Sequence, residues 1–201
     1  MHLPLPNNDN ALLPTPWGEF KIFTVPDGQK ETPHVVLVND EPLKKDKPPL
    51  VRIHSECFTG DVLGSKRCDC GEQLEKSLKL IGKHGGVLIY LRQEGRGIGL
   101  ANKIKAYALQ DSGLDTVEAQ VKLHLPIDDR DYADAATILK NLGFNTIRLL
   151  TNNPAKIEDL KKHNIAIAER VSIRIRPNAH NRRYLEVKQT KMGHLLNLSA
   201  K

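Results

Sequence analysis

The sequence predicts an α/β fold, and three features carry that prediction. Val87-Leu-Ile-Tyr-Leu91 is a short, almost wholly apolar run that passes directly into a glycine-rich loop and then a helical pattern. A second strand pattern, residues 146–151, ends in Thr151-Asn-Asn-Pro154, where the proline suits the first turn of a helix. Elsewhere apolar residues recur either at period two or at helical spacing. Junctions in which a strand feeds a helix hold ligands at the carboxyl ends of the strands.

Taken in order, residues 1–13 are rich in proline and asparagine and are expected to be mobile at the start. Residues 14–18 read as a turn that feeds a strand over 19–25, whose apolar residues alternate. Further strands are expected at 34–38 and 50–54, joined by a lysine- and proline-rich surface connection over 42–49. Leu74, Leu78 and Ile81 fall at helical spacing, and Gly85-Gly86 ends that helix before the strand at 87–91. After the loop at 92–99, a helix is expected to turn Leu100, Ile104 and Leu109 inward and to close at Asp111-Ser-Gly113. A helix over 131–142, the strand at 146–151, a helix opened by Asn152-Asn-Pro154 and a strand at 165–171 follow. The C-terminal stretch reads as mostly helical, apolar at Leu185, Met192, Leu195 and Leu196. No internal repeat is present, and two lobes meeting around 113–130 remain open although no linker stands out.

A chain of 201 residues can bury a full core, in one domain or in two small lobes. Its 39% hydrophobic and 27% charged residues are those of an ordinary soluble protein, and no apolar run approaches bilayer length. A cytoplasmic location with no membrane partner is therefore expected. The net charge of +6 suits a polyanion, but basic residues are spread along the chain and only 4% of residues are aromatic. That is poor material for stacking bases, so a phosphorylated small molecule is a better ligand than nucleic acid.

All three cysteines lie in one stretch, which runs from Arg52-Ile-His-Ser-Glu-Cys57 through Phe-Thr-Gly-Asp to Cys68-Asp-Cys70-Gly-Glu-Gln73. An odd count with no secretory leader argues against a disulfide framework. Three soft ligands are the number expected for a zinc that keeps one position open. Water in that position has its pKa pulled from about 15.7 to about 7. Two alternatives stand beside this reading. His54 could complete a closed Cys3His site, or the three thiols could hold no metal.

The loop Arg92-Gln-Glu-Gly-Arg-Gly-Ile-Gly99 lacks the third glycine of a dinucleotide loop, and the chain has no Gly-Lys-Ser/Thr phosphate loop. Alone it reads equally as a phosphate cradle or a tight strand-to-helix turn. Glu94 and Arg96 favour the cradle, because opposite charges suit a ligand with a base to recognise and phosphates to hold. Asp128, Asp129, Arg130 and Asp131 read equally as a solvated helix start, with acids at the positive end of the dipole.

These segments occur together with Tyr107-Ala-Leu-Gln-Asp111, Asp128-Asp-Arg-Asp-Tyr132, Leu149-Leu-Thr-Asn-Asn-Pro154 and Lys191-Met-Gly-His-Leu-Leu196. Their order and spacing over residues 13–196 resemble the GTP cyclohydrolase II family of riboflavin biosynthesis. The resemblance implies a mixed β-sheet flanked by helices, with residues 1–201 as a single domain of that kind. It implies an enzyme that opens the imidazole ring of GTP and releases formate and pyrophosphate, leaving 2,5-diamino-6-hydroxy-4-(5-phosphoribosylamino)pyrimidine. It puts one Zn2+ per subunit on Cys57, Cys68 and Cys70, in agreement with the spacing, and Mg2+ on the triphosphate. Implied GTP contacts are Arg52, Ile53, His54, Ser55, Glu56, Gln73, Glu94, Gly95, Arg96, Thr116, Thr151 and Lys156. Asp128 is implied as proton acceptor and Arg130 as the group attacking the α-phosphate, and Tyr107 matches a position near the ring-opening chemistry. A homodimer is implied as well. One departure is visible: Leu123-His124-Leu125 stands where the family usually has Leu-Gly-Phe.

A guanidinium, with a pKa above about 12, is a poor nucleophile. Arg130 therefore either loses a proton with help from Asp128 or acts as an electrostatic clamp. Two rival readings remain. One is a paralogue that stops at a formylated ring-opened product, against which Tyr107 and the Asp128/Arg130 pair argue. The other is a zinc-containing nucleotide- or RNA-binding module, suggested by the basic charge. Fused relatives carry a butanone-phosphate synthase domain, and 201 residues leave no room for one, so a monofunctional chain is expected.

Overall fold

The structure is a computed structural model and describes residues 9–27, 30–39 and 47–198. Of residues 1–13, expected to be mobile at the start, 1–8 lie outside these residues, as does most of the 42–49 connection, whereas 11–13 are not loose but open a strand paired with residues 20–22. The described strands are β1 (Ala11–Thr15), β2 (Gly18–Asp27), β3 (Lys30–Asn39), β4 (Leu50–Ser55), β5 (Gly86–Leu91), β6 (Thr146–Leu150) and β7 (Ala166–Val171). The helices are α1 (Phe58–Asp61), α2 (Cys70–His84), α3 (Gly99–Asp111), α4 (Thr116–Lys122), α5 (Ala133–Asn141), α6 (Pro154–Lys162) and α7 (Arg182–Lys191). A 3-10 turn spans Glu94–Gly97. The chain forms two compact units. The first comprises Met1–His54, Leu74–Arg92 and Asp131–Ile173; the second comprises Ser55–Gln73, Gln93–Arg130 and Arg174–Lys201. Residues 113–130 lie inside the second unit, and the chain passes to the first directly after Arg130.

The first unit is built on one sheet in the order β1-β2-β3-β5-β4-β6-β7. β1, β2, β3 and β5 pair antiparallel in turn, whereas β4, β6 and β7 pair parallel, so the sheet is mixed. Alternation explains its two packed faces. Val87, Ile89 and Leu91 of β5 join Val51 and Ile53 of β4 in a cluster with Ala135, Ile138 and Leu139 of α5 and Leu160 of α6. Leu88 of β5 and Leu50 of β4 turn the other way, into a second cluster with Leu78 and Ile81 of α2. A strand covered on both faces must be apolar at every position, which is why residues 87–91 carry no charge. Each such side chain contributes about 1.5–3 kcal/mol by leaving water. Pro14 is accommodated because β1 is an edge strand.

The second unit is poorer in large apolar side chains. Its buried hydrophobic residues are Cys57, Cys68, Ala106, Ala119, Leu185, Val187 and Leu196, while Thr59, Asp69, Glu94, Lys103, Asp115, Gln120 and Asn181 are buried polar groups. Two expectations are corrected here. Leu100 and Ile104 of α3 are exposed (38% and 48%) rather than inward, and the helix buries Lys103 and Ala106 instead. The cause is that Lys103 has buried ionic partners, described below, and these orient the helix. In addition, α7 ends at Lys191, so Met192 and Leu195 are not helical, and Leu195 is exposed.

The helix ends follow local chemistry. α4 was not foreseen, yet it starts with a capping box: Asp115 accepts from the backbone N–H of Val117 and Glu118, and the Glu118 side chain accepts from the Asp115 N–H. α6 is capped by Asn153 with Pro154 following. At the C-terminus of α4, His124 N–H donates to Val121 O and Leu125 N–H to Gln120 O, both at 3.0 Å, with His124 at φ 53°. This is the Schellman arrangement, whose left-handed position is usually glycine. The Leu-His-Leu departure therefore keeps the backbone path and places a side chain where glycine is easier. Gly113, Gly143 and Asn164 fill the equivalent positions after α3, α5 and α6.

Candidate active site

The site in the second unit is built on two glycines and three thiols. Cys57 precedes α1, its N–H donating to Asp61 Oδ2 at 2.9 Å, and Cys70 opens α2. Gly60 lies under the sulfurs. A Cβ there would stand 2.8 Å from Cys68 Sγ, 3.1 Å from Cys70 Cβ and 3.2 Å from Cys57 Sγ. A Cβ on Gly71 would meet Gly60 O at 2.3 Å, so both helix starts need glycine to approach. The sulfur of Cys57 is 3.8 Å from that of Cys68, and all three sulfurs lie within 4.8 Å of one another. A tetrahedral ion with Zn–S bonds of about 2.3 Å separates its sulfurs by about 3.8 Å, so a soft, zinc-like ion fits the donor set.

The electrostatics agree. Hydrogen bonds from Cys68 and Cys70, and then the ammonium of Lys103, hold the Cys57 thiol far below its usual range. Cys68 is pushed up to about 11 and Cys70 well up, first by their hydrogen bonding to Cys57 and then, for Cys70, to Cys68, with burial adding to both. One thiolate among three is what mutual repulsion leaves in so tight a cluster. A divalent ion is what would let the other two ionise.

Charged side chains surround the trio. Lys103 Nζ donates to Cys57 Sγ at 3.1 Å and to Glu94 Oε1 at 2.9 Å. Glu94 also accepts from Phe58 N and Gly95 N, both at 2.6 Å. Asp69, between two of the cysteines, accepts from Gln73 and from Lys188 Nζ at 3.1 Å. Burial alone would raise the Asp69 carboxyl, but Lys188 and Gln73 hold it below the usual range. Asn181 Nδ2 donates to Cys68 O at 3.4 Å. Tyr107 OH is 3.5 Å from Thr59 Oγ1, the guanidinium of Arg67 lies 4.5 Å from the Tyr107 ring centre, and burial pushes the phenol up to about 12.

The glycine loop packs on the acidic segment. Gly95 and Arg96 both adopt left-handed backbone (φ 63° and 65°), and Arg96 O accepts from Asp129 N at 3.0 Å. A Cβ on Gly97 would meet Asp129 Cβ at 3.0 Å. Arg96 Nη1 donates to Gln120 Oε1 at 3.5 Å, whereas Nη2 is buried with no hydrogen-bond partner among the described residues. Asp128 and Arg130 form a fork, Nε to Oδ1 at 2.7 Å and Nη2 to Oδ2 at 2.5 Å. Burial would raise the Asp128 carboxyl, but Arg130 outweighs it and holds the group below its usual range. Asp131 does behave as a helix-start acid, accepting from Ala133 N at 3.1 Å. Thr116 is the first residue of α4, and Ser55 Oγ accepts from Gln93 Nε2 at 3.0 Å. Glu56 is half-buried.

The remaining implied contacts, Arg52, Ile53, His54, Thr151 and Lys156, belong to the first unit, at the ends of the neighbouring parallel strands β4 and β6 and the start of α6. They are buried and engaged within that unit. Arg52 Nη1 donates to Leu150 O at 3.0 Å, and Lys156 Nζ donates to Ile53 O at 2.6 Å. Thr151 Oγ1 accepts from Asn153 N at 3.0 Å. His54, weighed above as a fourth ligand, takes an Arg52 N–H on Nδ1 at 3.4 Å and stacks on Tyr90 with ring centres 5.4 Å apart.

Asp27, His34 and Asp134 in the first unit also bring three donor atoms within 4.8 Å. Their hydrogen bonds argue against a metal. His34 Nδ1 accepts from Arg92 N at 3.1 Å, which places the ring proton on Nε2. Nε2 then donates to Asp134 Oδ2 at 3.1 Å and has no lone pair for an ion.

Sequence reasoning missed Gly60, Lys103, Asn181 and Lys188, and left His194 without a role. Gly60 stood inside a motif already singled out, but a lysine in a helix reads as a solvated residue unless its partners are known. His194 is pushed down to about 3 by burial and by Lys188, Arg130 and Arg96.

Over residues 7–172 the chain matches the family model described as GTP cyclohydrolase II. It is 53% identical to GTP cyclohydrolase-2 of Buchnera aphidicola subsp. Acyrthosiphon pisum, covering 94% of this chain and 97% of that protein. With GTP cyclohydrolase-2 of Histophilus somni the identity is 54%, over 92% of this chain and 86% of the relative. The riboflavin biosynthesis protein RibBA of Bacillus cytotoxicus is 52% identical over 92% of this chain but only 47% of its own length, so the chain spans about half of that relative. A solved structure of RibBX, a two domain 3,4-dihydroxy-2-butanone 4-phosphate synthase from A. baumannii, reaches a TM-score of only 0.38 at 19% identity, covering 71% of this chain and 33% of its own, too weak to carry a fold argument. The long family match and the near full-length relatives show that the chain belongs to the GTP cyclohydrolase II family.

Proposed function

We propose that this chain hydrolyses GTP at its guanine imidazole ring, releasing formate and pyrophosphate and leaving 2,5-diamino-6-hydroxy-4-(5-phosphoribosylamino)pyrimidine. The observation that carries the reading is the convergence of three sulfurs over Gly60, beside a buried Glu94–Lys103 pair. Cys57, Cys68 and Cys70 would hold one zinc, which when bound supplies Lewis acidity and activates water. The implied GTP contacts, the single-domain reading of residues 1–201, Mg2+ on the triphosphate, a homodimer and a cytoplasmic location are part of the same proposal and rest on the family resemblance. Among the described residues no helix is long and apolar enough to cross a membrane.

The chain's own groups divide the work by charge. Asp128 is kept anionic by Arg130, which leaves it able to accept a proton while making it a weaker base than an unpaired carboxylate. Arg130, held in a two-point ion pair, stays protonated, which favours a clamp on developing phosphate charge over a nucleophile. Arg96 offers a buried donor that a phosphate oxygen would satisfy. Tyr107, its phenol kept protonated by burial, suits a hydrogen-bond donor near the ring-opening step.

The test follows formate and pyrophosphate together after mixing the chain with GTP, Mg2+ and Zn2+. Both products should appear in step, and Cys68→Ser should abolish both. Arg130→Ala should retain the metal and lose pyrophosphate release by about a hundred- to a thousandfold, as for loss of one transition-state donor. Ring opening without formate would place the chain with the paralogues that stop at a formylated product. No consumption of GTP would refute the proposal.

A further inference from the structure

Lys103 lies outside every motif that the sequence singled out, yet it is buried and bonded on two sides. It is 8% exposed, and its ammonium touches two buried anions, Cys57 Sγ at 3.1 Å and Glu94 Oε1 at 2.9 Å. Glu94 is itself fixed by the backbone N–H groups of Phe58 and Gly95, and Phe58 directly follows Cys57. The lysine therefore has little freedom to leave the sulfur. One turn on, the Tyr107 ring centre lies 5.7 Å from the same nitrogen, closing the pocket around it.

We propose that Lys103 is a positioning residue for the metal centre, its ammonium hydrogen-bonding the Cys57 thiolate and drawing negative charge off it. The inference rests on the metal reading given above. A divalent ion on three thiolates carries one net negative charge, and such a centre is a weak electrophile because sulfur donates strongly. A cation at hydrogen-bond distance from one sulfur draws electron density from that sulfur without taking a coordination position. It also fixes the direction of the ligand, as the outer partners of metal-binding side chains do. Glu94 then has two tasks: it holds the lysine on the sulfur and compensates the buried ammonium, which would otherwise be costly. An arginine could supply the charge but not the compact single point of contact.

The test uses the full chain with cobalt(II) in place of zinc, because cobalt–thiolate charge-transfer absorption reports electron density on sulfur independently of turnover. Lys103→Met should shift that absorption to lower energy and weaken metal binding, measured by competition with a chelator, by about 10- to 100-fold. Lys103→Arg should recover most of the band position. Lys103→Met combined with Glu94→Gln leaves neither charge buried alone, and carries the test if the single variant does not fold; it should show the same shift. A folded double variant with the parent's band and affinity would overturn the inference while leaving the metal centre standing. If the parent chain takes up no cobalt on the thiols, the metal reading itself fails, and Lys103 has no such role.

Discussion

Gly60 has no side chain because the sulfur of Cys68 occupies the space: a Cβ would lie 2.8 Å from it, and only 3.2 Å from Cys57 Sγ. Neither neighbour is the far end of a flexible chain. Both are sulfurs that would hold the proposed ion, and their spacing would have to match it. Gly60→Ala should therefore act on the metal before it acts on the fold. We expect a loss of metal affinity of at least about tenfold, comparable with disturbing a ligand's outer partner. Overpacking adds about 1–3 kcal/mol of destabilisation. Zinc titration of purified Gly60→Ala against a chromophoric chelator measures this, and wild-type affinity would show that the sulfurs are free to rearrange.

His124 occupies a helix-capping position that the backbone prefers to fill with glycine. Its φ of 53° is left-handed, and the two hydrogen bonds that define the cap are intact. The left-handed conformation costs an L-residue about 1–2 kcal/mol, which glycine escapes, though glycine loses about 0.5–1 kcal/mol in chain entropy. His124→Gly should accordingly be neutral to slightly stabilising, by up to about 1 kcal/mol. His124→Val should be destabilising, because a β-branched residue is a true outlier there. Denaturant unfolding of the two variants separates these outcomes, and a clear loss with glycine would mean that the imidazole makes an interaction worth more than the strain.

Much of the first unit can be read from the sequence, because each of its signals is local. The apolar run at 87–91 announces a strand buried on both faces, and Asn153-Pro154 announces a helix start. The thiol trio was equally legible, since its cysteines lie within fourteen positions of one another in the chain. The orientation of α3 was not. Leu100 and Ile104 gave an apolar spacing that points the wrong way, and the true inward face is set by the partners of Lys103: Cys57, 46 residues earlier, and Glu94, nine residues earlier but in an irregular loop where no periodicity reveals the pairing. Asn181 and Lys188 were hidden for the same reason: their partners, at Cys68 and Asp69, are more than a hundred residues away.

His194 should make the protein sensitive to mild acid. Burial, reinforced by Lys188, Arg130 and Arg96 and opposed by Asp69, pushes its pKa from an ordinary 6.5 down to about 3. In the unfolded chain the imidazole takes up a proton as the pH drops below 6.5, while in the folded chain it stays neutral until about 3. The unfolded state binds more protons throughout that window, so stability rises with pH across it and is lost on acidification. The slope from this one group is at most about 1.4 kcal/mol per pH unit. His194→Gln should flatten the stability profile between pH 6.5 and about 4 relative to the parent. Equal slopes for the two proteins would place the imidazole in water.

Removal of metal should loosen the second unit and spare the first. The first unit rests on two clusters of buried side chains that include Ile53, Ile89, Leu139, Leu149 and Leu88, none more than 1% exposed. The second buries mainly thiols, alanines and polar groups, with Leu185, Val187 and Leu196 as its large apolar members. A unit with so little apolar burial draws a larger share of its stability from whatever holds its loops, and ion binding to ligands unformed in the unfolded chain is folding energy. Stripping the metal also leaves three thiols crowded together with the Lys103 and Lys188 ammonium groups nearby. Hydrogen exchange read by mass spectrometry, with and without chelator, should show faster exchange across residues 55–73, 93–130 and 174–198, and little change in β3, β5 or β6. Uniform acceleration in both units would mean that the two unfold as one. No change anywhere would mean that the thiol cluster is organised without an ion.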